Sequence, residues 1–336
     1  MTQLAVVILN YNGEKLLKQF LPSVVRYSPE ATVYVADNGS SDNSIQIVSS
    51  EFPQVKLIAL EKNFGFCGGY NRSLKQIDVP LYVLLNSDVE VTEGWLQPII
   101  RLMEDDAVAA VQPKILSYHN NHLFEYAGAG GGLVDSLGYP FCRGRLFDFV
   151  EADHGQYNDT RQVFWASGAC LFIRSSVYHQ MGGLDEDHFA HMEEIDLCWK
   201  INRAKHKVMY CGESTVYHLG AGTLGYASPR KTFLNFRNGL TLVYKHWDGS
   251  EMLYKLPLRI MLDWLAALTF LMKGSWANFK AVFNAHVAFV CDLKINSKKR
   301  KALQRMHPGY PRSQIYRGMI VFDYFLRRKK VIKSDQ

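Results

Sequence analysis

The chain opens with apolar blocks of strand length separated by amphipathic stretches. LAVVIL is followed by Asn10-Tyr11-Asn12-Gly13, then by Leu16, Leu17, Phe20, Leu21 and Val24 at helical spacing. ATVYVAD ends in Asp37, and Asn38-Gly39-Ser40-Ser41-Asp42 opens a second helical stretch with Ser and Asp suited to capping. VKLIAL is a third strand, and Asn63 to Asn71 brings three glycines to the start of another helix. Such alternation with short loops predicts right-handed crossovers and a largely parallel sheet of the doubly wound α/β class.

Leu81–Val91, LYVLLNSDVEV, is the next strand, ending in Asn86-Ser87-Asp88. Gly94 to Asp105 reads as a helix and Val108 to Leu116 as a strand. From Tyr118 to about Asp159 the periodicity fades into an irregular, glycine-rich stretch, and loops this long in a compact domain are usually functional. Val163–Arg174 reads as one strand with Ser167-Gly168-Ala169 at its middle, which suggests a bulge or the close approach of a ligand. A helix then begins near Glu193, Glu194 and Asp196, and VMYCGESTVYHLGAGT places His218 at a strand end before Gly220 and Gly222. Arg230 to Trp247 and Ser250 to Cys291 read as helices. Their most apolar window, Leu256–Met272, carries Pro257, Arg259 and Asp263, so no membrane span is expected; Arg259 and Asp263 can pair four residues apart.

Charge changes this picture at one end. Of a net charge of +6, residues 292–336 carry thirteen Lys/Arg against three acids, +10, which leaves −4 for the preceding 291 residues. The basic clusters Lys298–Lys301 and Arg327–Lys330 lie among aromatics, a composition suited to an anionic membrane surface or simply to a solvated tail. No nucleic-acid motif accompanies them. Six scattered cysteines, without a CxxC pair and partly in apolar runs, point to reduced thiols rather than a disulfide frame or zinc site. The N-terminal MTQLAVVILNYNG has no basic n-region, so export is not expected.

Candidate chemistry sits at strand ends, where open α/β sheets bind ligands. Asp88, helped by Asn86, suits a divalent cation and the phosphates it neutralises, although Asn-Ser-Asp is also ordinary turn chemistry. Asp37 suits either a base or ribose contact or a helix cap. The first strand lacks G-x-G-x-x-G, and no P-loop motif occurs, which argues against a dinucleotide Rossmann site and a P-loop NTPase. Arg143 and Arg145 are possible phosphate contacts. Three acids at the helix start at 193–196 exceed what the helix dipole needs, and one suits a general base. His188 and His191 lack a zinc setting.

Taken in order, VVILNYNG, VADNGSSDNS, residues 63–71, LLNSDVEV, WASGACLFIR, GGLDEDHFAHMEEIDLCW and VYHLGAGT resemble the family 2 glycosyltransferases of GT-A fold, particularly bacterial rhamnosyltransferase-like members. The resemblance runs from residue 5 to about 223. It implies a Rossmann-like, mostly parallel mixed sheet flanked by helices over residues 1–228, with a helical, basic C-terminal extension over 229–336. It implies inverting transfer from a nucleotide-diphospho-sugar to an acceptor hydroxyl, for many relatives on a lipid-linked saccharide in polysaccharide synthesis. Asn10, Asp37, Asn63, Gly65, Asn71, Asn86 and Ser87 would line the donor pocket. Asp88 would hold Mg²⁺ or Mn²⁺, with His218 completing the site. Glu194 would be the base, with Glu193 and Asp196 as rivals, and Trp165, Gly168 and Asp185 would lie on the acceptor side. Asn86 stands where a strict DxD has Asp, and Glu194 where many relatives have Asp. The expected location is the cytoplasm, peripheral on the inner face of the cell membrane. The alternatives are a sugar-phosphate nucleotidyltransferase, which would want an early basic glycine-rich loop, and a degenerate transferase serving as a scaffold.

Overall fold

A computed structural model describes residues 3–220 and 228–332. Its first half alternates β1 (Leu4–Asn10), α1 (Glu14–Tyr27), β2 (Thr32–Asp37), α2 (Ser44–Glu51), β3 (Lys56–Ala59), α3 (Gly65–Leu74), β4 (Leu81–Asn86), β5 (Val89–Val91), α4 (Gln97–Leu102) and β6 (Val108–Ser117). The glycine-rich stretch is not structureless. It folds into β7 (Gly132–Val134), β8 (Pro140–Cys142), β9 (Arg145–Leu146) and β10 (Phe149–Val150), a separate antiparallel sheet of very short strands. Strands of two or three residues are too brief to leave a period-2 signal, which is why the sequence reads as irregular there.

The chain continues with β11 (Thr160–Val163), β12 (Cys170–Arg174), α5 (Ser175–Gln180), a 3₁₀ turn (Glu186–His188), α6 (Glu193–Arg203) and β13 (Lys207–His218). Of the single strand expected over Val163–Arg174, only Val163, the last residue of β11, and Cys170–Arg174, which form β12, are strand. β11 pairs with β13 at the sheet edge, β12 lies between β6 and β4, and Ser167-Gly168-Ala169 falls in the crossing between them. The main sheet runs β11-β13-β6-β12-β4-β1-β2-β3, with β5 beside β13. β1 to β4, β6 and β13 point one way, so the sheet is mixed and mostly parallel. Helices cover both faces, so β1 and β4 are buried nearly throughout, as apolar parallel strands must be. One core packs Val6, Ile8, Val35 and Val83 against α1; the other packs Val7 and Leu84 with Tyr70 of α3 and with α6.

The remainder is helical: α7 (Pro229–His246), α8 (Gly249–Met272), α9 (Trp276–Cys291), α10 (Leu293–Met306) and α11 (Ile320–Phe325). α7 starts cleanly because Ser228 caps it, its side chain accepting from Lys231 N–H at 3.2 Å, and Pro229 occupies the first turn. Arg259 and Asp263 do pair, at 3.3 Å, but inside the fold, where the guanidinium also stacks on Tyr139. All six cysteines are free and only Cys291 is exposed. Half of the basic cluster at 298–301 is internal: Lys299 pairs with Asp185 and Asp187, and Arg300 donates to the Tyr244 carbonyl. Arg143 is likewise turned inward, forked onto Asp159 with both bonds at 2.9 Å.

Candidate active site

The carboxyl ends of three adjoining parallel strands bring the expected donor-side residues together. Asn10 lies level with Asp37 across β1 and β2, and Leu9 lies level with Asn86 across β1 and β4. Asn10 Nδ2 donates to Asp37 Oδ2 at 3.0 Å, while Ser40 N–H donates to Asp37 Oδ1 at 2.8 Å. Both Asp37 oxygens are therefore engaged in shaping the loop after β2. Asn10 Oδ1 is buried without a partner, and a Cβ at Gly13 would lie 2.2 Å from it and 3.9 Å from Ser87 Oγ. Glycine at 13 thus keeps open a cradle in front of a lone acceptor, and a buried acceptor left unpaired is costly unless a ligand supplies a donor. Asn63 Oδ1 accepts from Gly65 N–H at 2.8 Å and sets the start of α3, where Gly65 takes φ +73°. Asn71 lies further along α3 and plays a different part. It binds both the Leu184 carbonyl and the Leu184 N–H, tying α3 to the Gly182–Gly183 turn.

Asp88 follows β4 and leads into β5, whose antiparallel register sets Val89 against His218. The Leu219 N–H donates to the Asp88 carbonyl at 3.0 Å, so the aspartate and the histidine are placed by backbone pairing rather than by chance rotamers. His218 Nε2 is 3.2 Å from Asp88 Oδ1, and Nδ1 is 3.1 Å from Glu125 Oε2. Burial alone would discharge the imidazole, but hydrogen bonds and the charges of the two flanking carboxylates win and push it up to about 10. Burial also opposes the ionised form of Asp88, yet the His218 contact holds its carboxyl below the usual range. An imidazolium therefore stands between two buried acids. Deprotonated, its Nε2 and the Asp88 carboxylate are a donor set that would suit Mn²⁺ or Mg²⁺, and the Glu125 carboxylate faces Nδ1 on the other side of the ring. Asp88 and His218 thus offer donor atoms that would suit a cation. Nothing local in the sequence marks Glu125. It sits in the stretch without periodicity and reaches His218 because its N–H pairs with the Ile115 carbonyl of β6.

Ser167-Gly168-Ala169 links this turn to the acids of α6. The Asn86 N–H donates to the Ala169 carbonyl at 3.0 Å, and a Cβ at Gly168 would lie 3.7 Å from Glu194 Cβ. Glu193 and Glu194 each bury an Oε2 with no partner. Burial pushes Glu194 up to about 7 and raises Glu193 as well, the like charge of Glu194 adding to the rise at Glu193. The loop before them is held in an unusual shape: Phe189, His191 and Met192 all have positive φ, 63°, 67° and 72°. Asn238 on α7 grips it, its Nδ2 donating to the carbonyls of His188, Ala190 and His191 at 2.8–3.0 Å, and Arg237 donates to the Asp187 and His188 carbonyls.

Asp196, the third acid, is fully buried and ion-paired. Lys245 Nζ lies 2.7 Å from Asp196 Oδ1 and 2.7 Å from Asp185 Oδ2, with Lys200 and His246 on Asp196 and Lys299 on Asp185. Burial opposes the charge on both aspartates, but the Lys245 ammonium outweighs it and holds both low, which removes Asp196 as a plausible proton acceptor. Donor atoms of Asp185, His188 and Asp196 lie within 4.8 Å of one another, as a metal site would need. Lys245 already provides the cation there. His188 has neither ring nitrogen bonded and is pushed down to about 4, first by burial and then by Lys245. Trp165 is 5% exposed and donates to the Leu133 carbonyl at 2.9 Å, so its indole serves the junction with the small sheet. Of the last sequence motif, Ala221–Thr223 lie outside the described residues.

A family sequence model, that of glycosyl transferase family 2, matches residues 5–179. Among characterised proteins, the chain is similar to the low-salt glycan biosynthesis hexosyltransferase Agl10 of Haloferax volcanii, 26% identical over 70% of this chain and 73% of that one. It is also similar to an N-acetylglucosaminyl-diphospho-decaprenol L-rhamnosyltransferase of Mycobacterium tuberculosis, 26% identical over 66% of this chain and 78% of that one. Among solved structures, GalNAc-T7 with UDP, GalNAc and Mn²⁺ superposes at TM-score 0.58 with 16% identity, over 74% of this chain and 49% of that one. A mannosyltransferase of Pyrobaculum calidifontis, in complex with GDP-Man and Mn²⁺, superposes at TM-score 0.54 with 12% identity, over 90% and 84%. These two likenesses establish the GT-A type of fold.

Proposed function

The chain belongs to glycosyl transferase family 2, and from that premise we propose that it moves a sugar, with inversion, from a nucleotide-diphospho-sugar to an acceptor hydroxyl. The observation that carries the reading is the pairing of Asp88 with His218 at the end of β4, joined through residues 167–169 to Glu194, whose buried Oε2 has no partner.

The nucleoside lies against Asn10, where the open Oδ1 takes a donor from the base or ribose, with the loops shaped by Asp37 and Asn63 on either side. Asn86 and Ser87 lie beside the diphosphate. Asp88 and His218 would hold Mg²⁺ or Mn²⁺, which supplies positive charge to the departing diphosphate. Glu194, once ionised, accepts the proton of the acceptor hydroxyl. That oxygen forms its bond to the anomeric carbon from the face opposite the diphosphate, and the old C–O bond breaks with its electron pair leaving on phosphate. Gly168 leaves room beside Glu194 for the acceptor, and Trp165 and Asp185 support that side from behind. Because burial raises Glu194 to about 7, the base fills its ionised form as pH climbs through neutrality, and the rate should climb with it.

We further assign a rhamnosyl- or hexosyl-type donor and a lipid-linked saccharide acceptor of polysaccharide synthesis, met at the inner face of a membrane. The relatives named above support the assignment, since one is a hexosyltransferase and the other acts on a diphospho-decaprenol-linked sugar. Residues 229–332 are then an extension whose first helix shapes the Glu194 loop. The test is turnover of UDP-, dTDP- and GDP-sugars with Mn²⁺, for wild type and Glu194→Gln. The variant should lose roughly 10²–10⁴ in kcat with donor affinity unchanged. An unaltered kcat, or the same loss in Glu193→Gln alone, takes the base role from Glu194. A wild-type chain that binds no nucleotide sugar is a scaffold.

A further inference from the structure

The helical extension carries an outer face that the transfer reaction does not use. On α8, Tyr254, Met261, Leu265, Leu268 and Met272 are all exposed, from 48% to 86%, at helical spacing along one side. The charged residues of the middle of that helix, Arg259 and Asp263, point the other way and are buried. This is the reverse of a surface helix, which keeps its apolar stripe inside. α9 extends the face with Trp276, Phe283, Val287 and Val290, 47–61% exposed. Trp264 joins the two helices, its ring meeting Phe279 and Phe283. A contiguous apolar face of this kind on a folded chain marks a surface that something covers.

We propose that the α8–α9 hairpin lies flat on an anionic lipid bilayer, with this face seated at the boundary between headgroups and acyl chains. Charge selects the occupant. Every exposed charged side chain from Leu253 to Arg305 is basic: Lys273, Lys280, Lys294, Lys298, Lys301 and Arg305. Lys280, Lys294, Lys298 and Lys301 continue the spacing of Trp276, Phe283, Val287 and Val290 along α9 and α10, so the apolar face passes directly into a lysine-rich one. A second copy of the chain would bring this basic rim against itself, whereas anionic headgroups complement it. Among the described residues no helix is long and apolar enough to cross a membrane, so the hairpin lies on the bilayer rather than through it. The docking element is thus this hairpin with the outer lysines of α10. Arg327 and Lys329, in the other basic cluster, are paired with Asp323. The use of the surface rests on the proposed lipid-linked acceptor, but its test does not involve catalysis.

The experiment is flotation of the full chain with phosphatidylglycerol-containing and with pure phosphatidylcholine vesicles, alongside light scattering of the protein alone. Wild type should float with the anionic vesicles as a monomer. Leu265→Asp with Leu268→Asp, both at exposed positions, should weaken this by roughly tenfold or more with an unchanged circular dichroism melt. Lys294→Glu with Lys298→Glu should weaken binding to the anionic vesicles and leave the neutral ones unaffected. The proposal is overturned if wild type stays at the bottom, or if the leucine variant floats equally. It is also overturned if wild type is a dimer that the leucine variant separates, which would give the face to a second copy. Donor turnover measured without vesicles is scored separately: floating protein without turnover keeps the surface and discards the transferase reading, and the converse holds.

Discussion

Two buried charge clusters in this protein are nearly alike in parts and opposite in the use proposed for them. In one, His218 sits between Asp88 and Glu125. In the other, Lys245 sits between Asp185 and Asp196. Each places a cation between two carboxylates in a dry setting, where an unpaired charge would be expensive. The difference is what the cation can give up. Burial opposes the charge of the lysine ammonium, but the two aspartates that pin it outweigh this and raise it, so it keeps its proton over any ordinary pH. An imidazolium at about 10 can trade its proton for a metal and remain a ligand. Geometry alone, with donor atoms within 4.8 Å, favours the lysine cluster as a metal site; the chemistry of the counter-ion supports the proposal that an ion would meet His218 instead.

The comparison can be broken most forcefully by removing one member of each cluster. Asp88→Asn should lower metal-dependent turnover roughly a thousandfold while costing under about 2 kcal/mol of stability, because His218 can discharge when its partner goes. Lys245→Met should do the reverse to the fold, costing about 3–5 kcal/mol in denaturant titration, since two buried aspartates lose their shared counter-ion. Equal stability losses in the two variants would erase the distinction. A smaller effect is expected at the residue behind the histidine. Glu125→Gln should weaken Mn²⁺ binding roughly 10- to 100-fold, read by paramagnetic titration in the presence of nucleoside diphosphate. The finest test counts protons. Mn²⁺ binding near pH 7.5 should release about one proton per ion, measured by calorimetry in buffers of different ionisation enthalpy. No release would mean that the ion does not meet His218.

The same titration has a stability signature. The His218 pKa is raised on folding, so its contribution is complete below its ordinary value near 6.5 and is lost as pH rises through about 10. The Asp88 pKa is lowered, so its contribution is present above about 4 and is lost as pH falls through the native value. The metal-free pair is therefore strongest in mildly acidic solution.

How much of this was readable beforehand follows from sequence separation. The parallel strands, the ends bearing Asn10, Asp37 and Asn86, and the series leading to His218 were legible because buried strands and turn residues leave local patterns. Glu125 was not, since its position is fixed by the Ile115 carbonyl and by a histidine 93 positions away, inside a stretch whose strands are too short to show a period. The break in Val163–Arg174 was hidden for a related reason: residues 164–169 are as apolar as β12, so only the tertiary pairing shows that β11 ends at Val163 and β12 begins at Cys170. Asn238 and Lys245 stood in a helix whose visible signal was its amphipathic spacing, and nothing local announces a side chain that reaches 48 or 60 residues back. The basic clusters at 298–301 and 327–330 were legible as charge but not as direction, so Lys299 and Arg300 turned out to face inward.

Phe189, His191 and Met192 hold left-handed backbone just ahead of Glu193, under the grip of one asparagine. Glycine would be free of steric strain at these three places, yet would slacken the segment by freeing the backbone and by surrendering its side-chain anchors. On the proposed assignment, an engineer wishing to broaden acceptor choice has a dial that touches neither Glu194 nor the residues proposed to hold an ion: stiffness is set from α7, outside the α/β sheet, and can be turned down one residue at a time.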